Sequence, residues 1–425
     1  MALCSLSSFL KNGLTPFHVT GLLKRILAEE GFCELLEKEP FHVQRGGKYF
    51  VCRGGASLIA FQIPEDWQDG GFEIATAHSD SPALAVTGER HDGHYVRLTV
   101  EKYGGLLAGT WYDRPLFVAG RVLLRTEEGM QSVLYQSRRT VVIPSVAPHQ
   151  NKDANEKVMA NPAVDLLPLF DKDDGANALR RAIAEELGVS VDAILSEDLF
   201  LVSADEPTVF GGDFIASPRL DDLAAVYGLL DGFCKATPSL SIPVLAVFNG
   251  EEVGSMMPEG ADSTFLHDVL CRICEGMNAS FATAMAKSFF LSVDNAHATH
   301  PSHPELSCAE MPCYLNGGIV IKYNAARRYT TNGFSAGLIK MLCRDLGLPV
   351  QEYRNRADLP GGSTLGAISG THVSLPFADI GLAQLAMHSA CETGGLRDVS
   401  YLATLAERYF SVALVCDGTL YAWRQ

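Results

Sequence analysis

Residues 242–255, IPVLAVFNGEEVGS, constrain the fold more than any other stretch of this chain. Ile242, Val244, Leu245, Val247 and Phe248 form an apolar, β-branched run, the texture of a strand buried on both faces. Asn249-Gly250 breaks the run and delivers Glu251 and Glu252 at the strand's carboxyl end. In open α/β sheets that edge is where ligands bind. Two adjacent carboxylates are costly to bury unless a positive charge sits between them. A metal ion is the simplest candidate, with one glutamate as ligand and the other free for acid–base work. Read alone, the pair fits a solvated turn after a core strand better than a site.

At 425 residues the chain exceeds one ordinary core, so two domains, or one with a large insertion, are expected. A formal net charge of -16 argues against nucleic acid as the main partner, because phosphates would be repelled. Eleven cysteines are too few for a disulfide scaffold in a chain of this length, and the odd count leaves one unpaired. A reducing cytoplasm is the economical reading. Cys271 and Cys274 make a lone CxxC without a second pair at zinc-ribbon spacing, so they read as structural residues of a helix. The N-terminal MALCSLSSFLKNG lacks a basic leader and reads as a first helix, not a signal peptide. No run approaches the roughly 18 apolar residues a membrane span needs.

Helical periodicity covers residues 3–39, punctuated by Pro16 and Gly31. Short strands are expected at 48–53 and 57–63, and another at 71–78, ending in His78-Ser79-Asp80. A neutral imidazole is a good zinc ligand, and a carboxylate two residues on can take its second N–H. From about Arg90 to Glu206 the chain alternates like a set of antiparallel strands, with a polar stretch at 149–174 and a helix at 176–187. Residues 89–208 therefore read as an inserted β-rich domain, between two parts of a first domain at 1–88 and 209–425. The first texture resumes at 211–222, a strand ending in Asp221-Asp222, followed by a helix at 223–234. After a helical stretch at 263–286, a strand at 289–297 carries Asp294. A strand at 318–323, a helix at 335–346, a strand at 350–353 and a Gly-rich turn at 359–364 follow. The apolar run 381–388 ends in His388, and a final amphipathic helix is expected at 399–416.

Five apolar runs thus end in His78, Asp221, Glu251-Glu252, Asp294 and His388. If those strands share one sheet, two imidazoles and at least three carboxylates meet at its edge. This nitrogen and oxygen set without thiolate suits Zn²⁺, or Mn²⁺ or Co²⁺. Five protein ligands exceed the need of one catalytic zinc, which keeps an open position. They suit two ions about 3.5–4 Å apart that share one bridging carboxylate. A glutamate beside an acidified water is a general base, so hydrolysis of an amide or similar carbonyl bond is the expected chemistry.

HSDSP (78–82), SPRLDD (217–222), NGEEVGS (249–255), DNAHATHP (294–301), IKYNAARRYTTN (321–332) and LAMHS (385–389), in this order, resemble the aspartyl aminopeptidase and vacuolar aminopeptidase I family. The resemblance spans nearly the whole chain. It implies a zinc-exopeptidase-like α/β fold, a mixed central sheet flanked by helices, with a β-rich domain inserted after the first His motif. It also implies two zinc ions per chain and removal of the N-terminal residue from peptides, with acidic Asp or Glu as the family's preference. Carried over motif by motif, His78, Asp221, Glu252, Asp294 and His388 are the implied metal ligands, with Asp221 bridging. Glu251 is the implied general base and Asp80 the residue that orients His78. His297, Lys322 and Tyr329 match substrate-binding and oxyanion-stabilising positions, with Lys322 suited to an acidic substrate side chain. His149, in IPSVAPH, matches a histidine reached into a neighbouring subunit's site. The resemblance further implies a homo-oligomer, dimers assembled into a tetrahedral dodecamer. Asp222 stands where the family usually has Asn, and Cys391 where it usually has Arg.

The same metal set also serves dipeptidases, carboxypeptidases and N-acyl amino acid deacylases, which free versus blocked peptides would separate. A non-catalytic assembly protein keeping the fold is the remote alternative. An intact Glu251 and complete ligand set argue against it, since a retired site has no physical reason to hold clustered charges.

Overall fold

A computed structural model describes residues 4–173, 175–359, 361–362 and 364–425. Leu3 of the first helical span, Asp174 of the polar stretch, and Pro360 and Ser363 of the Gly-rich turn lie outside the described residues. The architecture is mixed α/β. A nine-stranded sheet runs in the order Cys33–Leu35, Lys48–Arg53, Ser57–Gln62, Ile242–Phe248, Phe72–His78, Phe289–Val293, Phe377–Gly381, Ile319–Lys322, Val350–Tyr353. Its centre is parallel: Ile242–Phe248, Phe72–His78, Phe289–Val293 and Phe377–Gly381 run in one direction. Antiparallel pairings on either side make the sheet mixed.

The strand Ile242–Phe248 is buried at every position, and its side chains divide by the two-residue period of a strand. Leu245 and Val247 enter one core, whereas Ile242, Val244, Ala246 and Phe248 enter the other. Helices Leu220–Lys235 and Leu396–Ser411 cover the first face, and Phe265–Gly276 covers the second. The first two helices approach closely because of Gly232, where an added Cβ would come within 2.5 Å of Ala406 Cβ.

Between Phe72–His78 and Phe214–Ser217 in chain order lie the strands of a second sheet. Its order is Gly129–Val141, Leu116–Thr126, Ile194–Ser203, Ala83–His91, Tyr95–Tyr103, Leu169–Lys172, and its pairings are antiparallel throughout. It has its own core, including Leu98, Val118, Leu199 and Ile183, the last from the helix Ala178–Leu187. A third sheet orders Thr208–Phe210, Phe214–Ser217, Glu392–Gly395, Ala383–Leu385 and Ala296–His297.

Three expectations need correction. Helical periodicity over 3–39 resolves into helices Leu6–Asn12 and Pro16–Glu29, and the strand Cys33–Leu35 follows them. The last helix ends at Ser411, and a hairpin, Ala413–Asp417 with Leu420–Arg424, completes the chain. Alternation of Ala413, Val415 and Asp417 is too short to separate from the helical pattern before it. Finally, the five apolar runs belong to two sheets. Strands leading to His78, Glu251 and Asp294 are neighbours in the large sheet, while Phe214–Ser217 and Ala383–Leu385, leading to Asp221 and His388, lie in the third. Cys271 and Cys274 do lie on one helix, Phe265–Gly276. Among the described residues no helix is long and apolar enough to cross a membrane.

Candidate metal centre and substrate cleft

Parallel register brings the candidate ligands level. Phe248 pairs with His78, and Ser292 with Thr76, which sets Asp294 beside His78 two residues on. Across the sheet edge, Asp221 opens the helix Leu220–Lys235. It departs from helical geometry there and is joined to Asp222 by a cis peptide. His388 stands in a turn after Ala383–Leu385, at φ 68. Asp221 lies between the two imidazoles: its Oδ1 is 3.4 Å from His78 Nε2, and its Oδ2 is 3.5 Å from His388 Nε2. Asp294 Oδ1 lies 3.8 Å from His78 Nε2, and Glu252 Oε1 lies 3.5 Å from His388 Nε2.

Both rings are held so that Nε2 faces the centre. His78 Nδ1 lies 3.0 Å from the backbone carbonyl of Asp80, and His388 Nδ1 lies 3.1 Å from that of Gly105. An Nδ1–H donated to a carbonyl leaves Nε2 with its lone pair for a cation. Asp80 thus orients His78 chiefly through its main chain, its carboxylate standing 3.6 Å away. That carboxylate has other work. It accepts the backbone N–H of Glu251 at 3.2 Å and of Glu252 at 3.1 Å, and the Tyr103 hydroxyl at 2.9 Å. Asp80 therefore caps the short helical turn Glu251–Val253 and fixes the glutamate pair. Gly250 makes this turn possible, since φ is +85 and a Cβ would meet Met257 at 2.5 Å.

The cluster is short of positive charge. Burial pushes the Glu251 carboxyl up to about 8; His78 pulls it down, and Asp294, Asp80 and Asp221 push it further up. Burial and then the Asp221 charge raise Glu252 well above the carboxylate range. Burial opposes protonation of His388, but Asp221 and Glu252 outweigh it and hold the ring at about 10. Asp221 Oδ1 and Asp222 Oδ1 are buried with no hydrogen-bond partner among the described residues. Ligand atoms of His78, Asp221, Asp222 and Asp294 lie within 4.8 Å of one another, as do those of Asp221, Glu252 and His388, and those of His78, Glu251 and Glu252. Orphaned carboxylate oxygens facing two imidazoles, with no thiolate, fit zinc.

A cleft of about 330 Å³ opens onto this cluster, lined by Glu251, Glu252, Asp294, His297, Lys322 and Tyr329 among others. Lys322 is only 1% exposed. Its ammonium donates to Asp294 Oδ2 at 3.0 Å, Asp294 O at 2.8 Å and Asn295 O at 3.3 Å. Those contacts occupy all three of its protons and fasten Lys322 to Asp294. The Tyr329 ring lies 4.9 Å from that ammonium, and its hydroxyl has no hydrogen bond among the described residues. His297 is exposed at the cleft wall. His149 stands apart: it is exposed on the turn 147–150 and does not line the cleft.

Glu392 and the turn at Gly104-Gly105 had no separate signal in the sequence, whereas Asp222 was legible beside Asp221. Glu392 is buried and accepts the backbone N–H of Asp221 at 3.0 Å and of His388 at 2.6 Å, tying these two candidate ligands together. Gly104-Gly105, legible only as a break between strands, brings the second sheet against the centre. An added Cβ at Gly104 would lie 3.0 Å from Glu252 Cβ. Asp222 Oδ2 receives the His78 N–H at 3.2 Å. Burial raises its pKa well above the carboxylate range.

The family description Aminopeptidase I zinc metalloprotease (M18) matches residues 9–410. A protein of Clostridium acetobutylicum, named probable M18 family aminopeptidase 2, is 38% identical over 423 residues, covering 96% of this chain and 98% of its own. A chain in a cryo-EM structure of the Ape4 and Nbr1 complex superposes with a TM-score of 0.90 at 32% identity, over 95% of this chain and 84% of that one. The S. cerevisiae mApe1 dodecamer shares the fold, with a TM-score of 0.82 at 24% identity, over 95% of this chain and 94% of that one. Six motifs in order, a buried cluster of imidazole and carboxylate ligands, and matches over nearly the full length agree, and the chain belongs to the M18 family of aminopeptidases, which are zinc metalloproteases.

Proposed function

We propose that this aminopeptidase works with two metal ions per chain, zinc in the first instance, with manganese or cobalt as substitutes. His78, Asp221 and Asp294 would hold one ion; His388, Glu252 and Asp221 would hold the other, with Asp221 shared. The observation that carries the reading is the clustering of all five side chains with Glu251, four of the five lining one cleft. Bound zinc supplies Lewis acidity to the scissile carbonyl and to the attacking water.

The protein's own residues do the rest. Glu251, held by Asp80, takes a proton from the attacking water and returns it to the leaving amine. The carboxylates around it hold the free α-amine of the substrate, which favours an aminopeptidase over enzymes that need a blocked amine. The Tyr329 hydroxyl, free of intramolecular hydrogen bonds among the described residues, and His297 stabilise the developing oxyanion. Preference for N-terminal Asp or Glu would follow the family resemblance.

Residues 89–208 would form an inserted domain around the second sheet's separate core. It would build a homo-oligomer in which His149 enters a neighbouring subunit's cleft, dimers assembling into a tetrahedral dodecamer. The dodecameric S. cerevisiae structure supports that assembly, and free cysteines throughout the described residues support a cytoplasmic setting. The decisive test is Glu251→Gln. Turnover of free-amine peptides is expected to fall by about 10²–10⁴ while metal content, measured on the same sample, stays near that of the wild type. Near-normal turnover would place the base elsewhere.

A further inference from the structure

The metal cleft has a neighbour of opposite character. A chamber of about 280 Å³ adjoins it, and His297 lines both. Asp221, Glu251, Glu252 and Asp294 wall the cleft. Among the described residues no Asp or Glu lines the chamber, whereas Arg354 and His300 do. In a chain of net charge -16 that separation is a local feature, not a reflection of composition.

Two groups there can take a ligand. Arg354 forms no direct ion pair among the described residues; its guanidinium lies 5.2 Å from the Tyr323 ring, and its charge acts at longer range on Glu352. Arg356, by contrast, is held by both oxygens of Asp358, at 2.6 and 2.8 Å. Gln384 is 2% exposed, and its Oε1 accepts the Asn295 amide at 2.6 Å. Its Nε2 has no partner among the described residues. A buried amide donor left unpaired is a cost that a ligand acceptor would relieve. A cation and a buried N–H in the lining of one small chamber fit a carboxylate.

We infer that the chamber takes the residue after the scissile bond together with its free C-terminal carboxylate, so that dipeptides are preferred substrates. This rests on the aminopeptidase reading of the cleft, in which the first residue and its ammonium occupy the acidic side. A dipeptide is then matched end to end: ammonium among carboxylates, carboxylate at Arg354 and Gln384, and His297 at the wall between, beside the bond to be cut.

The test compares one dipeptide as free acid and as C-terminal amide, on zinc-loaded wild type, Arg354→Ala and Arg354→Lys. A second pair differs only in an acidic or neutral first residue. In the wild type the free acid is expected to show a KM about tenfold below the amide's, the scale of one charge-assisted contact. Arg354→Ala should bring that ratio close to one, and Arg354→Lys should restore part of it. A wild-type ratio near one, or a ratio unchanged in Arg354→Ala, would overturn the inference. So would a loss that follows the charge of the first residue's side chain, which would put the chamber on the other side of the bond. Failure to cleave either dipeptide while a longer free-amine peptide is cleaved would overturn the inference alone; failure on every free-amine peptide would remove the aminopeptidase reading, and this inference with it.

Discussion

Lys322 shows how far a residue's neighbours decide its task. From sequence it is a lysine ending a strand, solvated or ready for an acidic substrate. In the fold it is buried, with every ammonium proton directed at Asp294 or Asn295. Burial opposes its charge, but Asp294, Tyr329 and Asp379 hold the pKa above the usual lysine value. Removing one partner of a buried pair leaves an uncompensated charge, so Lys322→Met is expected to destabilise the protein by about 3 kcal/mol. Because no proton is left over for substrate, turnover of peptides with acidic and neutral first residues should fall by the same factor. A loss confined to acidic substrates, in a steady-state comparison of the two, would return Lys322 to substrate recognition. Asp80 makes a related point: a carboxylate two residues after a histidine suggested a contact to the ring. The ring's shorter contact is to the Asp80 carbonyl, and the carboxylate holds the Glu251 and Glu252 N–H groups. One residue positions both the proposed ligand His78 and the proposed base Glu251, which no spacing rule could have separated.

At the scale of elements, the positions of the acidic and histidine ends were legible because buried strands announce themselves by apolar runs. Their grouping was not. Strand adjacency is a long-range property, and nothing in residues 214–217 or 383–385 says that they leave the nine-stranded sheet for another. The turn after Tyr95–Tyr103 was hidden for the same reason. Gly104 has φ +72 and faces Glu252, while Gly105 O receives His388, so a strand break in the second sheet sets two ligands of the centre. Gly104→Ala would carry about 1 kcal/mol of backbone strain and crowd the Glu252 side chain. Weaker metal retention under chelator titration is expected, with the melting temperature of the metal-free protein only slightly lowered. Unchanged metal retention would show that Glu252 moves aside freely and that the turn is merely a connector.

The whole molecule joins a deep metal centre to a surface that a single chain leaves open. Residues 144–168 carry His149 on an exposed turn, and Val146, Val158 and Val164 lie exposed on the same segment, 43%, 64% and 64% respectively. Apolar side chains clustered on a long segment without strands or helices mark a surface awaiting a partner. If that partner is a second copy, a C2 relation puts each His149 on the other's side, and the dependence can be read by complementation. His149→Ala and Glu251→Gln should each cost about 10²-fold or more in turnover. Mixed at equal amounts under conditions that exchange subunits, they should recover about a quarter of wild-type activity. Half of the randomly formed pairs are mixed, and in each mixed pair one of two sites receives both an intact Glu251 and an intact His149. A histidine acting within its own chain would give no recovery at any ratio, because every chain in the mixture lacks one of the two groups. Native mass spectrometry of the exchanged sample, with one variant isotopically labelled, settles whether chains have mixed, so the recovered fraction measures the geometry of the interface and not the extent of exchange.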